Sequence, residues 1–250
     1  MNPNETTDRR FLSNKAIPAS ERLIMALDVP DAGAARDLVE RLGSAVQFYK
    51  VGLELFMSGG AFELIHWLSD RGSKVFVDLK FFDVPQTVAS AVRNLARTGA
   101  TFATVHGNDG ILAAASAAKG DVKLLAVTVL TSLDQGDIEA LGFHTDVRSL
   151  VLSRARRALE IGCDGVVSSG LEVRSLREHV GPELIVVVPG IRPVLNRPTD
   201  DQKRTVDVED AFLNGADYIV VGRPIRNAAD PCTAAEAIQL RIARLFSPSS

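Results

Sequence analysis

From residue 22 onward the chain repeats one unit eight times: a short apolar, β-branched run followed by a stretch with helical periodicity. The apolar runs fall at 22–27, 46–51, 74–79, 101–106, 122–129, 165–168, 184–188 and 218–221. Helical stretches follow at 31–42, 53–70, 84–97, 111–118, near 134 and over 146–161, then at 172–179, 208–214 and 233–246. Turns containing Gly43, Gly72, Gly99, Gly162 and Gly215 precede the next strand. Strands separated by helices pair in parallel, because a crossover and not a hairpin joins them. Two folds accept that pattern, the (β/α)8 barrel and the doubly wound open sheet. The open sheet usually carries a glycine-rich fingerprint after its first strand, and Asp28-Val29-Pro30-Asp31 is not one. The expectation is an α/β fold, a single (β/α)8 TIM barrel over residues 21–250, with residues 1–20 as a loosely ordered arm.

The third strand ends in an unusual way. Val75-Phe76-Val77 runs into Asp78-Leu79-Lys80-Phe81-Phe82-Asp83. Side chains alternate along a strand, so Asp78 and Lys80 share a face. Charges at the end of a buried strand are costly unless they pair or meet a polar ligand. A salt-bridged strand terminus and a functional site both satisfy that demand. The other strand ends favour the site. Asp28 follows strand 1, Lys50 lies in strand 2, His106 follows strand 4, Thr131 and Ser132 follow strand 5, and Ser168 and Ser169 close strand 6. The strand beginnings carry no comparable set, and barrel enzymes build their sites at the C-terminal ends.

Strands 7 and 8 end at Pro189-Gly190 and Gly222-Arg223. Loops after these two strands often bind phosphate, using close backbone approach at glycine and free N–H groups at a helix start. Either glycine alone could merely shape a turn. The connection over 191–205 is long for its type and holds Arg192, Arg197, Lys203 and Arg204, which suits a lid or binding loop.

Composition narrows the partners. A formal net charge of −3 gives no global attraction to nucleic acid or to an anionic membrane. No apolar run approaches the roughly 20 residues that span a bilayer, and residues 1–20 lack a signal-like apolar stretch. Cys163 and Cys232 form neither a metal-like spacing nor a disulfide framework, and four scattered histidines argue against a zinc site. The expected setting is the reducing cytoplasm.

Taken together these segments resemble the orotidine 5'-phosphate decarboxylase family, over nearly the whole chain after the first twenty residues. The most specific element is Asp-x-Lys-x-x-Asp at Asp78, Lys80 and Asp83, continued by Val84-Pro85 and Thr87. Leu27-Asp28-Val29, Lys50-Val51-Gly52, Leu130-Thr131-Ser132, Pro189-Gly190-Ile191-Arg192-Pro193, Asp201-Gln202-Lys203-Arg204 and Val221-Gly222-Arg223-Pro224 support it in order. The resemblance implies decarboxylation of orotidine 5'-phosphate to UMP and carbon dioxide, with no metal or cofactor. It implies that Asp28 and Lys50 hold the ribose hydroxyls and that Lys50, Asp78, Lys80 and Asp83 form an alternating charge network. Asp83 and Thr87 would come from the partner subunit of a homodimer, although Asp83 by itself reads as a helix cap. Thr131 would contact the pyrimidine and Gln202 would link base to phosphate. Gly222 and Arg223 would grip the phosphate beside Pro189, Gly190 and Arg192. The chain departs from the family pattern at Asp200, where glycine is usual, at Phe82 for histidine and at Gln86 for asparagine. The first of these bears on the placement of Gln202.

The implied chemistry leaves a carbanion on a ring carbon with no adjacent electron sink, so fixed charges must stabilise it. Lys80 as ammonium would do so and donate the replacing proton, while Asp78 orients Lys80 and disfavours the ground state. The flanking carboxylates would keep Lys80 charged. A magnesium-dependent sugar-phosphate decarboxylase of the same barrel type is the nearest alternative, but it needs a metal-binding Glu where this chain has Lys50. A phosphosugar isomerase, which needs a distinct acid and base, and a non-catalytic nucleotide-phosphate-binding barrel complete the alternatives.

Overall fold

The computed structural model describes residues 8–192 and 205–247. Eight parallel strands close into a barrel in chain order. They are β1 (Leu23–Ala26), β2 (Phe48–Gly52), β3 (Lys74–Phe81), β4 (Phe102–Val105), β5 (Lys123–Val127), β6 (Gly165–Val167), β7 (Ile185–Val188) and β8 (Tyr218–Val221). The helices between and after them are α1 (Ala32–Leu42), α2 (Leu53–Met57), α3 (Ala61–Asp70), α4 (Pro85–Leu95), α5 (Asp109–Ala118), α6 (Gln135–Ala140), α7 (Val147–Ile161), α8 (Val173–His179), α9 (Val208–Leu213), α10 (Arg223–Arg226) and α11 (Pro231–Phe246). Every expected strand is present within a few residues of its expected ends. The single helix expected over 53–70 is two, α2 and α3, because Gly59 and Gly60 take positive φ between them.

Strand alternation builds the interior in layers. Ile24, Phe48, Phe76, Phe102, Leu125, Ile185 and Tyr218 form one inner core, with Ala26, Val187 and Val220 above them. Phe48, Phe102 and Tyr218 meet edge to face or tilted at 5.1–5.8 Å, geometry that suits the quadrupoles of the rings. The alternate strand residues, such as Met25, Tyr49, Val51 and Val77, face outward and are covered by the helices. One further step along the same inward rows brings Lys50, Asp78 and Thr104 to the upper end.

The arm is corrected in part. Residues 1–7 lie outside the described residues, but residues 8–20 are docked across the lower end of the barrel. Ile17 packs against the inner core. Arg9 donates to the Leu245 carbonyl at the end of α11, and Ser13 and Lys15 both reach Asp217 just before β8. Asp217 also accepts from Arg177 of α8 at 2.8 Å and from the Val186 N–H. The polarity of this segment conceals the pairing, because Lys15 and Ser13 find a buried partner more than 200 residues away in the chain.

Candidate active site

Three strands carry a row of four alternating charges across the upper mouth. Asp28 follows β1, Lys50 rises from β2, and Asp78 and Lys80 end β3. Lys50 Nζ lies 3.0 Å from Asp28 Oδ1 and 3.6 Å from Asp78 Oδ2. Lys80 Nζ lies 2.9 Å from Asp78 Oδ1. The three contacts link acid, base, acid and base in one line. Gly52 keeps the line open: a Cβ there would stand 2.9 Å from Lys50 Nζ and 3.0 Å from Asp28 Oδ1.

Burial works against these charges, and their neighbours overcome it. Lys50 is 9 % exposed, yet Asp78 and Asp28 hold its ammonium above the usual lysine range. Burial likewise opposes ionisation of Asp78, yet Lys50, Lys80 and the hydroxyl of Thr104 hold its carboxyl below the usual range. Both groups are therefore charged at neutral pH.

The strand that carries Asp78 and Lys80 is irregular. Val77 pairs with Ala103, but the next pairing joins Phe81 to Val105, so β3 spends two extra residues on the step. Lys80 sits in this bulge at φ 50°, alone among the described non-glycine residues in having positive φ. Strained backbone of this kind concentrates at functional sites.

The row forms one wall of a cavity of about 500 Å3. The rest of the lining holds Thr131 and Ser132 after β5, Pro189, Gly190 and Arg192 after β7, and Gly222, Arg223 and Arg226 after β8, which pairs with β1 and so brings Gly222 beside Asp28. Val127, Val129, Val167 and Val220 make its apolar floor and sides. Cationic and glycine-bearing loops thus share one cavity with the charge row. Gly190 turns at φ 74°, and Arg192 takes the Val206 carbonyl with its N–H, so the two ends of the long loop are pinned together. Gln202, with Arg197, Lys203 and Arg204, lies outside the described residues.

Of the sequence candidates, Asp28, Lys50, Asp78, Lys80, Thr131, Pro189, Arg192, Gly222 and Arg223 line this one cavity. Asp83 and Thr87 do not. Both are exposed on the outer rim, and Asp83 accepts from the neighbouring Val84 N–H at 2.6 Å, without capping α4. Sequence reasoning missed Glu54 and Arg226 in the lining, and Thr104 beneath it. Thr104 is the one polar residue at an inward position of β4, a weak signal because threonine is an ordinary strand residue. Among the described residues no group of His, Cys, Asp and Glu side chains converges as a metal site would.

Comparison with known proteins shows the family. The profile described as "Orotidine 5'-phosphate decarboxylase / HUMPS family" matches residues 21–238. The chain belongs to that family. An orotidine 5'-phosphate decarboxylase from Methylococcus capsulatus is 67 % identical over 237 residues, covering 95 % of this chain and 98 % of the relative. One from Xanthomonas axonopodis pv. citri is 51 % identical, covering 90 % and 93 %. The crystal structure of the decarboxylase from Lactobacillus acidophilus superposes with a TM-score of 0.79 at 36 % identity, covering 89 % of this chain and 99 % of that one. The family profile spans the whole barrel, from two residues before β1 into α11. The full-length relatives carry the decarboxylase name, and the sugar-phosphate, isomerase and non-catalytic readings find no support beside them.

Proposed function

We propose that this chain decarboxylates orotidine 5'-phosphate to UMP and carbon dioxide, a step of pyrimidine synthesis, without a metal or organic cofactor. The carrying observation is the Asp28–Lys50–Asp78–Lys80 row at the barrel mouth of a chain so similar to decarboxylases. Breaking the bond between the ring carbon and its carboxylate leaves an electron pair on that carbon. The Lys80 ammonium stabilises the pair and then gives it a proton, so a C–H bond replaces the C–C bond as carbon dioxide departs. Asp78 lies against the same ammonium and orients it. Because the charges are already in place before substrate arrives, little reorganisation is needed at the moment of reaction.

Asp28 and Lys50 face the ribose hydroxyls, and Thr131 faces the base. The phosphate lies against Gly190, Gly222, Arg192 and Arg223. Binding energy gained there supports positioning at the reacting carbon. Arg223→Ala should raise KM for orotidine 5'-phosphate by about ten- to a hundredfold, the effect of one charge-assisted contact. Steady-state kinetics check this, and unchanged KM and kcat would remove Arg223 from the phosphate site.

Asp83 and Thr87 face away from their own cavity, flanked by exposed Phe82 and Val84. Exposed apolar side chains beside an idle carboxylate fit an interface in which a second copy receives Asp83 and Thr87 into its site. The working form is then a homodimer. A net charge of −3 gives no call for nucleic acid, no helix among the described residues is long and apolar enough to cross a membrane, and both cysteines are free thiols. The cytoplasm suits such a protein.

Loss of orotidine 5'-phosphate absorbance, run with and without EDTA, tests the assignment. The expected result is turnover at the same rate in both. The Lys50 ammonium already stands between the carboxylates of Asp28 and Asp78, where a divalent metal would otherwise bind. Activity abolished by EDTA would point to the metal-dependent branch, and no activity in either condition would overturn the proposal.

A further inference from the structure

We infer that Thr104 is a positioning residue for the reaction: its one hydroxyl holds both the backbone of Lys80 and the carboxylate of Asp78 in their working geometry. This inference rests on the decarboxylase reading above.

The hydroxyl stands where the β3 bulge leaves the ladder incomplete. Thr104 Oγ1 accepts the Lys80 N–H at 2.9 Å and lies 2.9 Å from Asp78 Oδ1. A hydroxyl has one proton. With its lone pair engaged by the Lys80 N–H, that proton goes to Asp78. The two bonds therefore link the main chain of one catalytic residue to the side chain of the other. Thr104 is fully buried, so no water can take over either bond.

The backbone at Lys80 makes the contact necessary. At φ 50° a lysine is held against its own steric preference, and β4 offers no backbone carbonyl to the Lys80 N–H across the bulge. Regular pairing resumes only where His106 N–H meets the Phe81 carbonyl. On the side-chain face, Asp78 Oδ1 already serves Lys80 Nζ, and Oδ2 faces Lys50. The Thr104 proton fixes the rotation of the carboxylate, so that one oxygen addresses each lysine. Thr104 thereby joins β4 to the charge row.

The test is a set of substitutions at one position. Thr104→Val keeps shape and removes the hydroxyl, while Thr104→Ser keeps the hydroxyl. The valine variant should lose about ten- to a hundredfold in kcat, as expected for one hydrogen bond to a charged group. KM should move less than about threefold, because Thr104 lies beneath the cavity and not in its lining. The serine variant should recover kcat to within about threefold of wild type. A role in packing alone predicts the reverse pattern, with a lowered melting temperature, wild-type kcat for valine, and no advantage for serine. Either wild-type kcat in Thr104→Val or failure of serine to exceed valine overturns the inference. If valine does not fold, Thr104→Ala against Thr104→Ser decides in the same way, with UMP binding as the check on an intact pocket. A wild-type chain inactive on orotidine 5'-phosphate would instead sink the functional proposal itself.

Discussion

Lys80→Ala should lower kcat for orotidine 5'-phosphate by on the order of 10^4-fold or more, with the fold unchanged. The size follows from the two duties assigned to one ammonium. Positioned proton donation contributes about 10^2–10^4 in rate, and a preorganised charge at the developing anion contributes about 10^2–10^3. Neither duty passes to a neighbour. Lys50 is the other cation on Asp78, and it is committed to Asp28 and Asp78. The fold should survive because the Lys80 side chain is 40 % exposed and its removal creates no cavity. Asp78 is not orphaned, since Lys50 and Thr104 remain its partners. Nor does the backbone gain strain, because alanine at φ 50° meets the same steric conflict as lysine. Circular dichroism and UMP binding should match wild type while UMP formation, followed over hours, nearly stops. A variant with wild-type kcat would show that Lys80 is not the proton donor.

The barrel was legible because strand and helix periods alternate without interruption, and the charge row was legible because it breaks that period at one end only. Asp78 and Lys80 announce themselves as charges on an apolar strand. Lys50 does the same in Phe48–Gly52. Thr104 does not, since a threonine is an ordinary strand residue and its meaning comes from a register shift in the neighbouring strand. Gly52 was visible as part of a motif, but only the geometry shows that its missing Cβ leaves room for the Lys50–Asp28 pair. The docked segment before β1 failed for the opposite reason. Ser13 and Lys15 are polar because their partner is the buried Asp217, and equating polarity with solvent sends them outward.

That segment carries the second large effect, and it concerns stability at the end of the barrel away from the site. Asp217→Ala should cost roughly 3–5 kcal/mol, the range for removing one member of a buried ionic network. Asp217 is 0 % exposed and collects Ser13, Lys15, Arg177 and the Val186 N–H on its two oxygens. Alanine leaves the Arg177 guanidinium nearly buried with only carbonyls for company, and it orphans the Val186 N–H inside β7. Lys15 fares no better. Burial already pulls its ammonium below the usual lysine range, and Asp217 is the main influence restoring it. Without that carboxylate the tether of residues 8–20 weakens, and with it the cover that Ile17 gives the inner core. For a chain of this size the loss corresponds to a fall of roughly 6–20 °C in melting temperature. Asp217→Asn should fall in between, because an amide oxygen still accepts from Val186 but brings no charge to Arg177 or Lys15. Below the transition the folded variant should keep wild-type kcat, since Asp217 precedes β8 at the lower end and the charge row lies at the upper. A melting temperature within about 3 °C of wild type for the alanine variant would mean that the network is neutral, its Coulomb gain cancelled by the cost of burying it.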